Sequence, residues 1–210
     1  MKTVLLDFVH RFIPATTPGL PVLLLLHGTG GNEDDLIGMG ESLLPGAALL
    51  SPRGKAMENG MPRFFRRLAE GVLDVDDLKA RSLELAEFVE QAVETHGLPE
   101  APIIAVGYSN GANIASGLLL ARPDKLAGAC LLRPMVPYTP DSKPNLRNKQ
   151  ILISAGEHDS TMSPDEPNRL ADLYRSYGAA VTLKYQPTGH GLVSADIADT
   201  AAWIETMFLA

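Results

Sequence analysis

The segment Gly107–Gly111 reads GYSNG and has the form G-x-S-x-G, with Ser109 between two flanking glycines. It follows the apolar segment Ile103–Val106 and precedes Ala112–Ala121, which is rich in small and apolar residues. A strand, a sharp turn and a helix in this order present the serine hydroxyl at a helix N-terminus, where partial positive charge favours a developing anion. The pattern predicts that Ser109 is a nucleophile. The alternative is a glycine-rich turn with an idle serine.

A serine hydroxyl becomes a good nucleophile only when a base removes its proton. His190 stands between two glycines in the segment Thr188–Gly191, after the last predicted strand and before the last predicted helix, so its ring can be aimed across the sheet. We therefore interpret His190 as the base, against the alternative of a solvated surface histidine. The competing histidines are His10, His27, His96 and His158.

An acid that orients the histidine is expected between Ser109 and His190 if the chain order is serine, acid, histidine. Asp159 comes just after the predicted strand Ile151–Ser154, at the carboxyl end where ligand-facing loops lie. It would hold the histidine tautomer and stabilise the imidazolium without taking the proton itself. Glu157 is the nearest rival for this role.

Acyl transfer also needs hydrogen-bond donors for a tetrahedral oxyanion. The backbone N–H of Asn110, directly after the serine, is one candidate, and the backbone N–H of Thr29 in the loop His27–Gly31 is the other. The loop could also be a plain turn after a buried strand. Neither of the glycine patterns that bind phosphates is present, which argues against nucleotide binding.

The elements that must position these residues alternate between short apolar runs and longer segments of helical period. This alternation predicts an α/β fold with a mostly parallel central sheet, helices on both faces and no segment long enough for a large cap domain. The predicted strands are Val4–Val9, Val22–Leu26, Ala47–Leu50, Ile103–Val106, Ala127–Leu132, Ile151–Ser154 and Val181–Tyr185. The predicted helices are Ala112–Ala121, Leu78–Thr95, a segment from near Pro164 to Tyr177, and Val193–Phe208.

Size and charge narrow the function classes. A chain of 210 residues predicts a single α/β domain over residues 1–210. Its net charge of −7 argues against nucleic-acid partners, since a polyanion would be repelled. The apolar run Leu20–Leu26 contains Pro21 and is too short to span a membrane. The N-terminus does not resemble a signal peptide, so we expect a cytoplasmic protein.

Cysteine and metal-ligand patterns are sparse. The one cysteine, Cys130, lies in an apolar strand and is expected to be inert core. No cluster of histidines and carboxylates has metal-ligand spacing, so we predict neither a metal nor a cofactor.

Two segments resist assignment, Ser51–Gly71 and Pro134–Lys149, and both follow predicted strands. We expect the walls of a substrate pocket there, with the alternative of ordinary packing. The candidate wall residues are Phe64, Phe65, Leu68 and Met135. The first segment also holds Arg63, Arg66 and Arg67, which could favour an anionic substrate group or pair with Glu70, Asp74 or Asp76.

Taken in order, four of these segments resemble the phospholipase/carboxylesterase family of α/β-hydrolases. They are His27–Asn32, Gly107–Asn113, the Asp159 loop and Thr188–His190. The amino-acid sequences of the Ser109 segment and of Arg63–Leu68 are similar to those of small bacterial carboxylesterases linked to hydroquinone stress. The resemblance implies a triad of Ser109, Asp159 and His190, with the Thr29 and Asn110 amides as oxyanion donors. Acyl-protein thioesterase relatives usually have Gln in place of Asn110.

We therefore expect a serine hydrolase that cleaves carboxylic esters of small or short-chain acyl substrates through an acyl-enzyme. The alternatives are thioesterase or lysophospholipase-type activity, and a small-molecule binding protein that keeps the triad but turns over slowly. The expected partner is a small-molecule ester, and an exposed apolar edge could support a homodimer.

Overall fold

A twisted sheet of seven strands forms the centre of the structure, a computed structural model that describes residues 7–98 and 101–209. In chain order the strands are β1 (His10–Ile13), β2 (Val22–Leu26), β3 (Leu49–Pro52), β4 (Ala56–Glu58), β5 (Met61–Arg63), β6 (Arg67–Ala69), β7 (Val72–Leu73), β8 (Ile103–Tyr108), β9 (Gly128–Leu132), β10 (Gln150–Gly156) and β11 (Ala180–Gln186). The α-helices are α1 (Ile37–Leu43), α2 (Val75–Thr95), α3 (Asn110–Ala121), α4 (Glu166–Ser176) and α5 (Ser194–Phe208).

The order of strands in the central sheet is β1-β3-β2-β8-β9-β10-β11. Strand β1 pairs with β3 in the antiparallel direction, and every other pair in this sheet is parallel. Parallel strands end at the same edge, so the loops that follow β2, β8, β9, β10 and β11 meet there. These loops carry the candidate site residues.

Each face of the sheet packs against its own set of helices. In β2 all five residues are buried, with Val22, Leu24 and Leu26 on one face and Leu23 and Leu25 on the other. Helices α2, α3 and α4 cover the first face, and helices α1 and α5 cover the second. Burial on both faces explains why the central strands are continuously apolar.

The prediction of an α/β-hydrolase fold with helices on both faces and no large cap domain is confirmed for the described residues. The predicted strands correspond to β2, β3, β8, β9, β10 and β11, with ends that differ by up to a few residues. The exception is Val4–Val9, of which residues 4–6 lie outside the described residues. Residues 7–9 are not in a strand, and the first described strand begins at His10.

The unassigned segment Ser51–Gly71, together with Val72–Leu73 just after it, folds into two small hairpins that the sequence did not predict. Strand β4 pairs with β5, and β6 pairs with β7, both in the antiparallel direction.

Helix α1 was also missed, because its segment IGMGESL contains two glycines and no side-chain N-cap. The second unassigned segment, from Pro134 to Lys149, contains neither helix nor strand. Among the described residues, helices long and apolar enough to cross a membrane are absent.

Candidate active site

Ser109 lies in a strained turn between β8 and α3. Its backbone has φ +52° and ψ −113°, in a region where a non-glycine residue is rarely found. A Cβ on Gly107 would lie 2.4 Å from the carbonyl oxygen of Gly111, and one on Gly111 would lie 1.9 Å from that of Leu26. Only glycine fits at either position, so the two glycines allow the strand and the helix to approach closely enough to form this turn.

A continuous chain of hydrogen bonds links Ser109, His190 and Asp159. The Ser109 Oγ lies 2.9 Å from His190 Nε2, and His190 Nδ1 lies 2.7 Å from Asp159 Oδ2. The three residues follow strands β8, β11 and β10 at the same edge of the sheet. Glu157, the rival acid, is not among the groups bonded to His190 within the described part of the chain. This geometry allows proton transfer from a serine hydroxyl to an oriented imidazole.

Thr161 completes the surroundings of the Asp159 carboxylate. Its hydroxyl and its backbone N–H both donate to Asp159 Oδ1, at 2.7 Å and 3.0 Å, and its Oγ1 also lies 3.1 Å from His190 Nδ1. Burial raises the pKa of the Asp159 carboxyl, but the hydrogen bonds from Thr161 and His190 outweigh it and hold the pKa below its ordinary value. Asp159 is therefore held as a carboxylate that can stabilise a protonated His190.

The two predicted oxyanion donors lie beside Ser109. Thr29 and Asn110 both line the cleft that contains the Ser109 hydroxyl. Asn110 is the first residue of α3, and Thr29 follows β2; their backbone amides donate to no acceptor within residues 7–98 and 101–209. Amides without a protein acceptor are available to a developing oxyanion.

His27 fixes the loop that carries Thr29. It is buried, with its Nδ1 2.7 Å from the Gly28 carbonyl oxygen and its Nε2 accepting a 3.0 Å bond from the Gly54 amide. These two bonds define a neutral ring with the proton on Nδ1. Burial lowers the pKa of His27, in agreement with a neutral role. His27 is thus an anchor between the ends of β2 and β3, and it takes no part in the hydrogen-bond chain from Ser109 to Asp159.

Arg133 holds the loop on either side of His190 and was not singled out from the sequence. It follows β9, has φ +57°, and its guanidinium is fully buried in an ion pair with Asp196. The guanidinium also donates to the carbonyl oxygens of Gly189 at 3.3 Å and of Gly191 at 3.0 Å. The Tyr108 hydroxyl donates to the carbonyl oxygen of His190 at 3.2 Å. The histidine loop is therefore fixed at three successive carbonyls.

The cleft above Ser109 has a volume of about 90 Å³ and a wall that is polar and apolar in nearly equal parts. Besides Ser109, His190, Thr29 and Asn110, its lining residues include Arg63, Arg67, Glu70, Leu73, Asn113, Arg133, Met135, Thr161 and Met162. A cavity of this size is small compared with typical ligand pockets of about 300–1,000 Å³. The cleft as it stands suits short groups.

Of the four predicted wall residues, the structure places only Met135 on this cleft. Phe64 and Phe65 are instead buried in the hydrophobic core, where Phe64 packs against the His27 ring. Leu68 is 72% exposed and does not line the cleft. Successive side chains of a strand point to opposite faces, so in β6 Arg67 faces the cleft and Leu68 points away from it.

Two of the three arginines near the cleft have partners different from those that the sequence suggested. Arg66 pairs with Asp74, as expected, and also with Asp77. Arg63 and Arg67 both pair with Glu58, which lies on the same β4–β5 hairpin as Arg63 and was not among the expected partners. Arg63 also donates to the Thr29 hydroxyl at 2.6 Å.

The remaining histidines and the cysteine that the sequence offered lie away from the cleft at Ser109. His10 and His96 lie together at the β1 edge of the sheet, and His158 is exposed. Cys130 is buried in the core, as predicted, and burial raises the pKa of its thiol. Within the described ranges, groups of three or more histidine, cysteine or carboxylate side chains that could hold a metal ion are absent.

The signals for the missed residues were weak. Arg133 stands as a charged residue directly after an apolar strand end, which is a modest signal for a ligand-side position. Its importance comes from Asp196, which lies 63 residues further along the chain. Thr161 follows Asp159 by two residues, a spacing typical of a local carboxylate-to-backbone turn.

Comparison with known proteins identifies relatives over nearly the whole chain. The family model described as Phospholipase/Carboxylesterase matches residues 10–208. The chain is 46% identical to the putative hydrolase MhqD of Bacillus subtilis strain 168 over 182 residues, which is 87% of this chain and 91% of that protein.

Two solved structures of carboxylesterases are similar to this chain in both fold and sequence. A Bacillus cereus carboxylesterase is 42% identical, with a TM-score of 0.93 over 96% of this chain and 95% of that one. A carboxylesterase from Mesorhizobium loti is 31% identical, with a TM-score of 0.87 and 94% coverage of each chain. With the fold and the site geometry above, these matches show that the chain is a carboxylesterase-type hydrolase that belongs to the phospholipase/carboxylesterase family.

Proposed function

We propose that this protein hydrolyses carboxylic esters with small or short-chain acyl groups through Ser109, His190 and Asp159. The observation that carries the proposal is the unbroken hydrogen-bond chain from Ser109 Oγ through His190 to Asp159, at 2.9 Å and 2.7 Å. The strained turn that exposes Ser109 supports the same function, and the small cleft above it, about 90 Å³ in volume, supports the preference for short acyl groups. We further propose that residues 1–210 act as one catalytic domain.

In the first half of the reaction, Ser109 Oγ attacks the ester carbonyl while His190 Nε2 takes its proton. The carbonyl oxygen becomes an oxyanion that accepts hydrogen bonds from the amides of Thr29 and Asn110. Asp159 stabilises the imidazolium and keeps the proton of His190 Nδ1 in place. The tetrahedral intermediate collapses, the alcohol leaves with the proton from His190, and an ester between Ser109 and the acyl group remains.

In the second half, His190 removes a proton from a water molecule that attacks the acyl-enzyme. The same two amides stabilise the second oxyanion, and its collapse returns the proton to Ser109 Oγ and releases the acid. Asp159 remains a carboxylate in both halves, in agreement with its lowered pKa.

The test is hydrolysis of p-nitrophenyl esters from acetate to decanoate by the wild type and by Ser109→Ala. We expect the highest kcat/KM for the shortest esters and a loss of several orders of magnitude in the variant, because the covalent route is removed. Ser142→Ala, which changes an exposed serine, is the control and should match the wild type. Equal activity of the wild type and Ser109→Ala would refute the proposal.

Two further measurements separate the alternatives. Phenyl acetate and phenyl thioacetate differ in one atom, so their kcat/KM ratio decides between an esterase and a thioesterase. A fluorophosphonate probe labels an activated serine irrespective of turnover. Full labelling of Ser109 without turnover on any ester or thioester would favour the binding protein over the enzyme.

A further inference from the structure

Arg63 and Arg67 form one wall of the cleft that holds Ser109, and they share a single carboxylate. Arg67 lies close to both oxygens of Glu58, with its Nε at 2.9 Å and 3.1 Å and its Nη2 at 2.9 Å from Oε1. Arg63 Nε is 3.3 Å from Glu58 Oε2. Glu58 is therefore engaged mainly by Arg67, and Arg63 has the longer and weaker share of it.

Arg63 is buried to an extent that is unusual for its type. Its side chain is 5% exposed, and its remaining hydrogen bonds go to uncharged acceptors, Thr29 Oγ1 at 2.6 Å and the carbonyl oxygen of Phe65 at 3.2 Å. A guanidinium removed from water needs a well-placed anion to offset its lost hydration. Burial lowers the pKa of Arg63, which reflects this incomplete compensation. Its Nη2 donates no hydrogen bond within the described residues.

The other two charged side chains that line the cleft are either paired or exposed to solvent. Arg133 is neutralised by Asp196 in a fully buried pair. Glu70 is exposed at the rim, where water screens its charge. The cleft wall therefore presents the guanidinium groups of the buried Arg63 and the half-buried Arg67, with one shared, partly exposed carboxylate between them.

The position of Arg63 relative to the reacting carbonyl restricts what could use those donors. Arg63 donates to the side chain of Thr29, whose backbone amide is a proposed oxyanion donor, so its guanidinium lies one hydrogen bond from a residue that would contact the reacting carbonyl. A cleft of about 90 Å³ admits only a short connection between the carbonyl and an anion.

We propose that the preferred substrates are short esters that carry a carboxylate a few bonds from the reacting carbonyl, recognised by Arg63 and Arg67. Carboxylates match the planar fork of a guanidinium, and charge-assisted bonds of this kind discriminate by about tenfold to hundredfold. This inference rests on the proposed esterase activity and adds its substrate class.

The test compares charged esters with neutral esters of similar shape. Monoethyl succinate against ethyl butyrate places the carboxylate on the acyl side, and acetoxyacetate against propyl acetate places it on the alcohol side. Acid release is followed in a pH-stat. We expect the charged ester to have a kcat/KM at least about tenfold higher in one pair, and this ratio to fall as NaCl is added. The pair that shows the preference identifies the side that carries the charge.

Variants assign the preference to residues. Arg67→Gln and Arg63→Gln should each lower the charged-to-neutral ratio of kcat/KM by about tenfold. Arg66→Gln is the matched control: Arg66 lies in the same segment, is 66% exposed and does not line the cleft, so it should leave the ratio unchanged. The ratio is an internal measure, so partial loss of folded Arg63→Gln does not alter it.

The outcomes are distinct. If the wild type hydrolyses neutral esters but shows no preference in either pair, the inference is overturned and the esterase proposal stands. If a preference exists but persists in both arginine variants, its assignment to Arg63 and Arg67 is wrong. If none of the four esters nor the p-nitrophenyl series is hydrolysed, the proposed function fails, and the inference fails with it.

Discussion

Arg133 and Asp196 form a doubly hydrogen-bonded ion pair in which both side chains are fully buried. The pair joins the end of β9 to the first turn of α5, and the loop that carries His190 leads directly into that helix. Asp196 also accepts bonds from Ser154 Oγ at 2.5 Å and from the Val193 amide at 2.8 Å. The pair thus connects β9, β10 and α5 at the edge of the sheet where Ser109, His190 and Asp159 meet.

Removal of one member of this pair should destabilise the protein strongly. Arg133→Met or Asp196→Asn each leaves a buried charge without its partner, so we expect the free energy of unfolding to fall by about 3–5 kcal/mol. The double variant Arg133→Met/Asp196→Asn has no buried charge and should recover part of that loss. Urea unfolding measures all three. Arg175→Met, which breaks an exposed pair with Asp172, is the control and should cost under about 1 kcal/mol.

Activity should not recover with stability in the double variant. A methionine side chain in place of Arg133 has no donor for the carbonyl oxygens of Gly189 and Gly191, so the His190 loop would stay loosened even where folding is restored. We therefore expect kcat for a short ester to remain at least about tenfold below the wild type. Full activity in the double variant would show that Arg133 has no role in positioning His190.

The hydroxyl of Thr161 should influence the pH dependence of catalysis. It donates to Asp159 Oδ1 and, with the Thr161 amide, helps to hold the pKa of Asp159 below its ordinary value. Thr161→Val removes this donor, so we expect the acid limb of the kcat/KM profile to move to higher pH and kcat to fall by about tenfold. Thr161→Ser keeps the hydroxyl and should retain the wild-type profile. An unmoved acid limb in Thr161→Val would contradict this role.

Asn110 should contribute to stability through its side chain and to catalysis through its backbone. Its Oδ1 accepts a 2.7 Å bond from the buried Phe64 amide. Asn110→Ala leaves that amide unpaired and should lower the free energy of unfolding by about 1–3 kcal/mol. Since the backbone N–H remains, we expect the folded variant to keep at least about a tenth of the wild-type kcat. A loss as large as that of Ser109→Ala would mean that the side chain itself takes part in the reaction.

His27 should make the protein less stable in mild acid. Its pKa in the folded protein is below the ordinary value of 6.5, so below that value the unfolded chain binds a proton that the native state excludes. The free energy of unfolding should therefore decrease as the pH falls from about 6.5 towards the lowered pKa of His27. Above about pH 6.5 His27 is neutral in both states and should add no pH dependence.

The measurement is urea unfolding between about pH 7.5 and about pH 5, for the wild type and His27→Gln. The variant should show a shallower fall in stability over this range. His158→Gln, which changes an exposed histidine, should keep the wild-type slope. Parallel slopes for His27→Gln and the wild type would contradict a neutral His27 in the native state.

The sequence was most informative where the determinants are local. The turn at Ser109 could be predicted because its pattern occupies five consecutive residues, and the steric need for glycine at Gly107 comes from Gly111 within the same pattern. The loops of Asp159 and His190 could be predicted because each directly follows a recognisable strand. The central strands are apolar on both faces and therefore easy to find.

Prediction failed where the outcome depends on distant partners. An aromatic pair such as Phe64–Phe65 in a loop could line a pocket or fill the core. Both rings are buried in the core because they pack near His27 and β2, which are distant in sequence. The hairpins around Glu58 lack an apolar period because they lie on the surface, so neither they nor the link between Glu58 and Arg67 could be predicted.

The contact between Gly111 and Leu26 has a consequence for how such a protein can change over evolutionary time. A Cβ at Gly111 would overlap the Leu26 carbonyl, so main chain touches main chain where β2 ends and α3 begins. The spacing between the turn at Ser109 and the loop that carries Thr29 is therefore set without any side chain. The apolar residues that pack on the two faces of the sheet can then be exchanged, for example during adaptation to a warmer or colder habitat, without readjustment of this spacing.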